Sequence, residues 1–206
     1  MLNFSYVLQK IPDAIVGDFD SLRIDVQSFY EKLGSEIVKD EDQYSTDFGK
    51  SLDHLRSVLS SNSIFESRPA NLEIIVLGSI SGRVDQGIGL LGELYREAHR
   101  SQSNTRLWMV SESNVSWLLP PGNNILLGFD VTLSDDKMKI FAPHVGILPL
   151  YGPSVITTKG LEWDVTDWET KMGANVSTSN HIIGNEVSVR TSEWVLFTVE
   201  LAISEE

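Results

Sequence analysis

The hydrophobic period of this chain changes once, near residue 113, and that change limits the folds open to it. Before it, strand-like apolar runs alternate with segments whose apolar residues recur every three or four positions; after it only strand-like runs remain. The run Ile15-Val16 opens the first half. Leu22, Val26, Phe29, Tyr30 and Leu33 then form a helical stripe that Gly34 ends. Glu36 to Lys39 reads as a second strand, Thr46-Asp47 as the start of a second helix carrying Phe48, Leu52, Leu55 and Leu59, and Leu72 to Leu77 as a third strand. A glycine turn from Gly78 to Gly82 leads to a third helix with Ile88, Leu91, Leu94, Tyr95 and Ala98, and Arg106 to Val110 is a fourth strand. Strands alternating with helices predict a mainly parallel sheet. The later runs, at 117–119, 125–127, 145–148, 154–158, 187–189 and 195–199, are punctuated by Pro, Gly and Asn and predict a β-sandwich. The expected organisation is therefore α/β plus all-β: a parallel-sheet α/β domain over residues 1–112, then a β-sandwich over 113–206.

Charge and residue usage narrow the chemistry. A formal net charge of -13 disfavours nonspecific attraction to nucleic acid or anionic membranes. No cysteine is present, so thiol nucleophiles, thiolate metal sites and disulfides are excluded, and any metal must be held by oxygen or imidazole. The four histidines have no H-x-x-x-H spacing, and there is no G-x-S-x-G elbow. Without a membrane-spanning apolar run or a signal-peptide pattern, the expectation is a cytoplasmic protein.

Candidate functional residues gather where the first-half strands end. The first strand runs into Gly17-Asp18-Phe19-Asp20-Ser21; if it stays extended through Gly17, Asp18 and Asp20 point to one side. Taken alone, that pair reads better as a turn and helix cap. The second strand leads to Asp40, Glu41, Asp42 and Asp47, and the third passes through the glycine turn to Asp85. Ligands of parallel α/β sheets bind beyond the carboxyl ends of the strands, and clustered carboxylates there suit Mg²⁺ shared with phosphate. Gly78 to Arg83 can offer backbone N–H groups and a guanidinium to phosphate oxygens, although it matches neither GxGxxG nor GxxxxGK[ST]. Lys50 can meet phosphate or pair with Asp47.

Four stretches in order, IVGDFDS, DQYSTDFGK at 42–50, LGSISGRVDQ at 77–86 and STSN at 177–180, resemble the motifs of the thiamine pyrophosphokinase family, of eukaryotic and fungal type. The resemblance implies a nucleotide-binding α/β domain followed by a thiamine-binding β-sandwich. It implies Mg²⁺-dependent transfer of pyrophosphate from ATP to thiamine, in a homodimer with active sites between subunits. Carried onto this sequence, it assigns Asp18, Asp20, Asp47 and Asp85 to the catalytic metal centre. Lys50, Gly78, Ser79, Gly82 and Arg83 are assigned to ATP; Gln43, Trp163, Ser177, Ser179 and Asn180 to thiamine. Family members start with a further strand and an Ala-Asp-Gly-rich segment, for which only Met1 to Lys10 are available here. The expectation is thus a chain shortened at its N-terminus, with a catalytically weak thiamine-binding or dimer-partner subunit as the alternative to an active enzyme.

Overall fold

The computed structural model describes residues 10–61, 72–78, 80, 82–100, 105–132 and 139–202. The chain divides into two compact units, Met1–Pro69 and Ala70–Glu206. Among the described residues no helix is long and apolar enough to cross a membrane.

In the first unit, strand β1 (Ala14–Gly17), helix α1 (Ile24–Lys32), strand β2 (Glu36–Lys39) and helix α2 (Asp47–Ser61) follow one another. β1 and β2 pair in parallel, with Ala14 opposite Glu36 and Gly17 opposite Lys39. The expected stop at Gly34 is a left-handed residue (φ 97°) in a Schellman closure: Ser35 N–H donates to Tyr30 O and Gly34 N–H to Glu31 O, each at 3.0 Å. Ser35 then sends its hydroxyl to Pro12 O at 2.7 Å, which aligns the incoming strand with β1. Thr46 caps α2, its Oγ1 accepting the Gly49 N–H at 3.0 Å. Leu52, from the predicted stripe, is buried, and α2 packs on β1.

The second unit contains β3 (Leu72–Leu77), helix α3 (Val84–His99), β4 (Thr105–Val110), β5 (Asn114–Leu119), β6 (Gly122–Leu127) and β7 (Phe141–Leu148). These are followed by β8 (Ser154–Lys159), β9 (Trp168–Thr170), β10 (Ser177–His181), β11 (Glu186–Thr191) and β12 (Val195–Leu201). They form a six-stranded sheet, β10-β7-β12-β5-β4-β3, and a four-stranded sheet, β6-β11-β8-β9. Alternating apolar residues of both supply the core, including Trp117, Leu119, Val145, Ile147, Ile156, Val187, Val189 and Val199. Phe197 is fully buried, with ring centres 4.9 Å from Trp117 and 6.3 Å from Phe129. Burying such a ring contributes about 2–3 kcal/mol.

The mainly parallel sheet expected for the first half is borne out only in part. β1–β2 and β3–β4 are both parallel pairs, but β3–β4 belongs to the mixed six-stranded sheet. The cause is a tight reversal at residues 111–114. Ser111 Oγ accepts the N–H groups of Ser113 and Asn114 at 3.2 and 3.0 Å, and Ser111 N–H donates to Asn114 O at 2.9 Å. This hairpin makes β5 antiparallel to β4, with Val110 opposite Val115. The predicted seam at 112/113 falls inside the hairpin, whereas the division into compact units lies at Pro69/Ala70.

Candidate functional site

β1 does not stay extended beyond Gly17, so the expected same-side geometry of Asp18 and Asp20 is replaced by a turn. Asp18 Oδ1 accepts the Asp20 N–H at 3.0 Å, an Asx turn, and Phe19 between them adopts φ 67°. Left-handed backbone is strained for a bulky side chain and concentrates at functional sites. Asp47, at the start of α2, closes on this turn: its Oδ1 accepts the Asp18 N–H at 3.3 Å. A Cβ on Gly17 would lie 3.0 Å from that oxygen, so glycine at 17 is what admits the carboxylate. Sequence spacing gave no sign of this contact, although the glycine that permits it was visible.

The acidic loop after β2 divides its carboxylates between two tasks. Asp40 Oδ1 accepts the Asp42 N–H at 3.0 Å; Asp42 accepts the Tyr44 N–H at 2.9 Å and the Ser45 hydroxyl at 2.6 Å. The Ser45 hydroxyl, then the Tyr44 N–H, hold the Asp42 carboxyl below the usual range. These side chains shape the loop that exposes Gln43. Asp47 instead faces Asp18 and Lys50. The Lys50 side chain is only 2% exposed; its ammonium donates to Asp40 O at 2.9 Å and lies 3.7 Å from Asp47 Oδ1. Of the two roles open to Lys50 in the sequence, the structure supplies the pairing with Asp47. Lys39, which the sequence did not single out, has its pKa raised mainly by a hydrogen bond to Glu41 and in smaller part by Asp20 and Asp18.

In the second unit, Gly78 (φ 80°) and Gly82 (φ 82°) both use left-handed backbone, and Gly78 N–H donates to Val110 O at 3.0 Å. The predicted phosphate contact Ser79 lies outside the described residues. Arg83 and Asp85 form a forked ion pair, Nε to Oδ1 at 3.1 Å and Nη2 to Oδ2 at 2.5 Å. The guanidinium holds the Asp85 carboxyl below its usual range. Both side chains are well exposed, and such a pair contributes little stability, so parting it costs little. Gly87 gives Ile80 room beside α3, where a Cβ would come within 3.2 Å of its side chain.

The STSN segment is β10. A bulge falls between Ser177 and Asn180 where β10 pairs with β7, and Ser179 has φ 54°. Asn180 is buried and grips the backbone of Trp163 from both sides: its Oδ1 accepts the Trp163 N–H at 3.1 Å and its Nδ2 donates to Trp163 O at 2.9 Å. The indole of Trp163 is thereby presented to solvent, 56% exposed, and is not a core residue. Ser179 lines an open pocket of about 270 Å³ together with Thr178, His144 and Glu200.

Two domain families match this chain. "Thiamin pyrophosphokinase, catalytic domain" matches residues 2–108, and "Thiamin pyrophosphokinase, vitamin B1 binding domain" matches residues 130–196. The chain belongs to the thiamin pyrophosphokinase family. Thiamine pyrophosphokinase 1 of Arabidopsis thaliana is 31% identical over 192 residues, 92% of this chain and 66% of that protein. This chain thus spans slightly less than two thirds of its plant relative. The solved thiamin pyrophosphokinase of Candida albicans superposes with a TM-score of 0.81 and 26% identity, covering 97% of this chain and 78% of the other. The yeast enzyme, with a TM-score of 0.78 and 23% identity over 96% of this chain and 72% of its own, has the same fold. The family fold therefore accommodates mixed sheets and a β-rich second part.

Proposed function

We propose that this chain is a thiamine diphosphokinase, transferring the pyrophosphoryl group of ATP to the hydroxyethyl oxygen of thiamine and releasing AMP. The observation that carries the reading is the Asp18–Asp47 contact on the strained Phe19 turn at the carboxyl end of β1, in a chain of this family. Asp18, Asp20 and Asp47 are the metal-binding group of the first unit. Among the described residues no three His, Asp or Glu side chains are gathered closely enough to hold a metal ion by themselves. An all-oxygen, partly open set of this kind nevertheless suits Mg²⁺, which keeps waters and takes its remaining ligands from substrate phosphates. Bound there, Mg²⁺ would neutralise charge on the phosphates under attack.

The chain's own residues supply position and proton transfer. Gly78, Gly82 and Arg83 offer N–H groups and a guanidinium to ATP oxygens, with Asp85 exchanging its partner Arg83 for the nucleotide complex. The thiamine hydroxyl oxygen bonds to the β-phosphorus while the bridge to the α-phosphate breaks, and an aspartate of the first unit accepts the hydroxyl proton. Lys50 holds the Asp40–Asp47 loop, and Gln43 contacts thiamine from that loop. Trp163 offers an aromatic face to the vitamin, while Asn180 positions that Trp and Ser177 and Ser179 provide hydroxyls. The working form is a cytoplasmic homodimer, with residues 1–112 as the ATP module and 113–206 as the thiamine module.

The test is incubation of the purified chain with ATP, Mg²⁺ and thiamine. AMP and thiamine diphosphate appearing in equal amounts is the expected result. Thiamine binding with no AMP release overturns the catalytic reading and leaves a binding subunit.

A further inference from the structure

Beside the proposed thiamine residues, with His181 5.1 Å from the Trp163 ring and His144 lining the pocket that holds Ser179, two of the four histidines stand side by side on the six-stranded sheet. His144 on β7 and His181 on β10 are direct cross-strand partners, with ring centres 4.8 Å apart and planes inclined at 73°. Each Nδ1 meets a carboxylate at 2.5 Å: His144 that of Glu200 on β12, His181 that of Glu162. An ionised carboxylate only accepts, so a neutral imidazole must donate from Nδ1, which leaves its lone pair on Nε2. A carboxylate behind one ring nitrogen is the arrangement that orients histidines toward metals through the other. Both rings are open to ions, with side-chain exposures of 53% and 32%.

The spacing fits a shared ion. A metal–nitrogen bond of about 2.1 Å puts each ring centre about 3.2 Å from the metal, so two adjacent imidazole ligands hold their centres roughly 4.5–5.2 Å apart. The observed 4.8 Å lies within that span. We propose that His144 and His181 form a site for a divalent transition metal, Zn²⁺, Ni²⁺ or Cu²⁺, which imidazole prefers and Mg²⁺ does not. No third His, Asp or Glu among the described residues completes a cage. Water fills the other positions, and affinity is that of a two-ligand site. The ion would tie β7 to β10, the strand bearing Ser177, Ser179 and Asn180. The other two histidines are engaged elsewhere: His54 Nε2 lies 3.5 Å from Glu36, and His99 Nδ1 is 2.9 Å from Tyr95 O.

The experiment is titration of the untagged full chain with ZnCl₂ by calorimetry, in excess Mg²⁺ to saturate oxygen sites. The expected result is one bound Zn²⁺, with affinity reduced at least tenfold in His144→Gln and in His181→Gln, and about tenfold in Glu200→Gln. His99→Gln and Asp47→Asn should leave it unchanged. Nitrogen-detected NMR of the wild-type imidazoles provides a readout that needs no variant: two of the four Nε2 resonances should move with Zn²⁺. Affinity within twofold of wild type in both histidine variants, Zn²⁺ binding lost in Asp47→Asn, or no paired Nε2 shift overturns the site.

Discussion

Replacing Lys50 with methionine tests what organises the first unit. The ammonium is buried and makes a charge-assisted hydrogen bond to Asp40 O at 2.9 Å, so the loop between β2 and α2 is fastened to the helix that bears Asp47. Methionine keeps the length and nearly the volume of the stem, so cavity terms stay small. What is lost is one hydrogen bond from a charged donor, together with the cation that stands 3.7 Å from Asp47 Oδ1. A charge-assisted bond of this kind contributes about 1.5–3 kcal/mol, and about 2 kcal/mol corresponds to roughly a 30-fold rise in the local opening equilibrium. Amide hydrogen exchange followed by mass spectrometry over residues 36–61 reads that rise directly, with peptides from β12 as the internal reference. Exchange in that segment should accelerate by roughly 30-fold at unchanged β12 protection. Protection within twofold of wild type would refute the reasoning and return Lys50 to the pool of groups free to meet a phosphate.

Other perturbations probe different parts of the molecule. Gly160→Ala should destabilise the second unit by about 3 kcal/mol, because φ is +97° and the new Cβ would sit 2.3 Å from Glu186 O; urea unfolding followed by tryptophan fluorescence measures this. At position 19, glycine should be more stable than alanine by about 1 kcal/mol, since both lose the Phe ring but only glycine relieves φ 67°; thermal unfolding of Phe19→Gly and Phe19→Ala compares them. Burial, with a smaller contribution from Tyr95, raises the Tyr151 pKa well above the ordinary range, so its neutral form is favoured by the fold. That stability is complete below about pH 10 and is lost as pH climbs toward the folded value. Tyr151→Phe, which removes the 2.8 Å hydrogen bond to Leu91 O, should show a shallower alkaline loss in a pH series of unfolding curves. Asp47→Asn keeps an oxygen for the Asp18 N–H but discards the charge, so AMP formation should fall by at least about 100-fold while the unfolding midpoint is retained.

Local features were legible in the sequence wherever the cause was local. The periodicity of Phe48, Leu52, Leu55 and Leu59 places α2, Thr46 caps it, and Gly34 ends α1 by the left-handed closure that glycine favours. Sheet partition was not legible, because the choice of β3 and β4 to join β5 depends on the Ser111–Asn114 reversal and on the pairing of β5 with β12, far along the chain. Along β3, Glu73, Ile75 and Leu77 share an exposed side, as an edge strand allows and a doubly covered parallel strand does not, but the run is apolar except at Glu73 and so shows no such alternation in sequence. Trp163 carried no signal either way, since its exposure is set by Asn180 of β10 capturing its backbone in the turn after β8.

The crowding of acidic groups around Gly17-Asp18-Phe19-Asp20 has a physical resolution inside the protein. Asp40 and Asp42 use their oxygens on N–H and O–H donors of their own loop, and of that loop's acids it is Asp47 that turns toward Asp18. The Asp47 carboxylate held against the Asp18 backbone needs positive potential nearby, which is supplied unequally on its two sides. Lys50 stands on the buried side, 3.7 Å from Asp47 Oδ1, and Asp18 offers a backbone N–H to the same oxygen. The outer side of Asp47 stays open, its side chain 57% exposed. A group fixed from within and exposed on its outer side has its position set before any partner arrives, which is the property electrostatic catalysis requires. The strained φ of Phe19 belongs to the same design: an extended Asp18-Phe19-Asp20 segment would direct both carboxylates along one face, whereas the left-handed turn lets Asp18 bind the Asp20 N–H while its own N–H reaches Asp47.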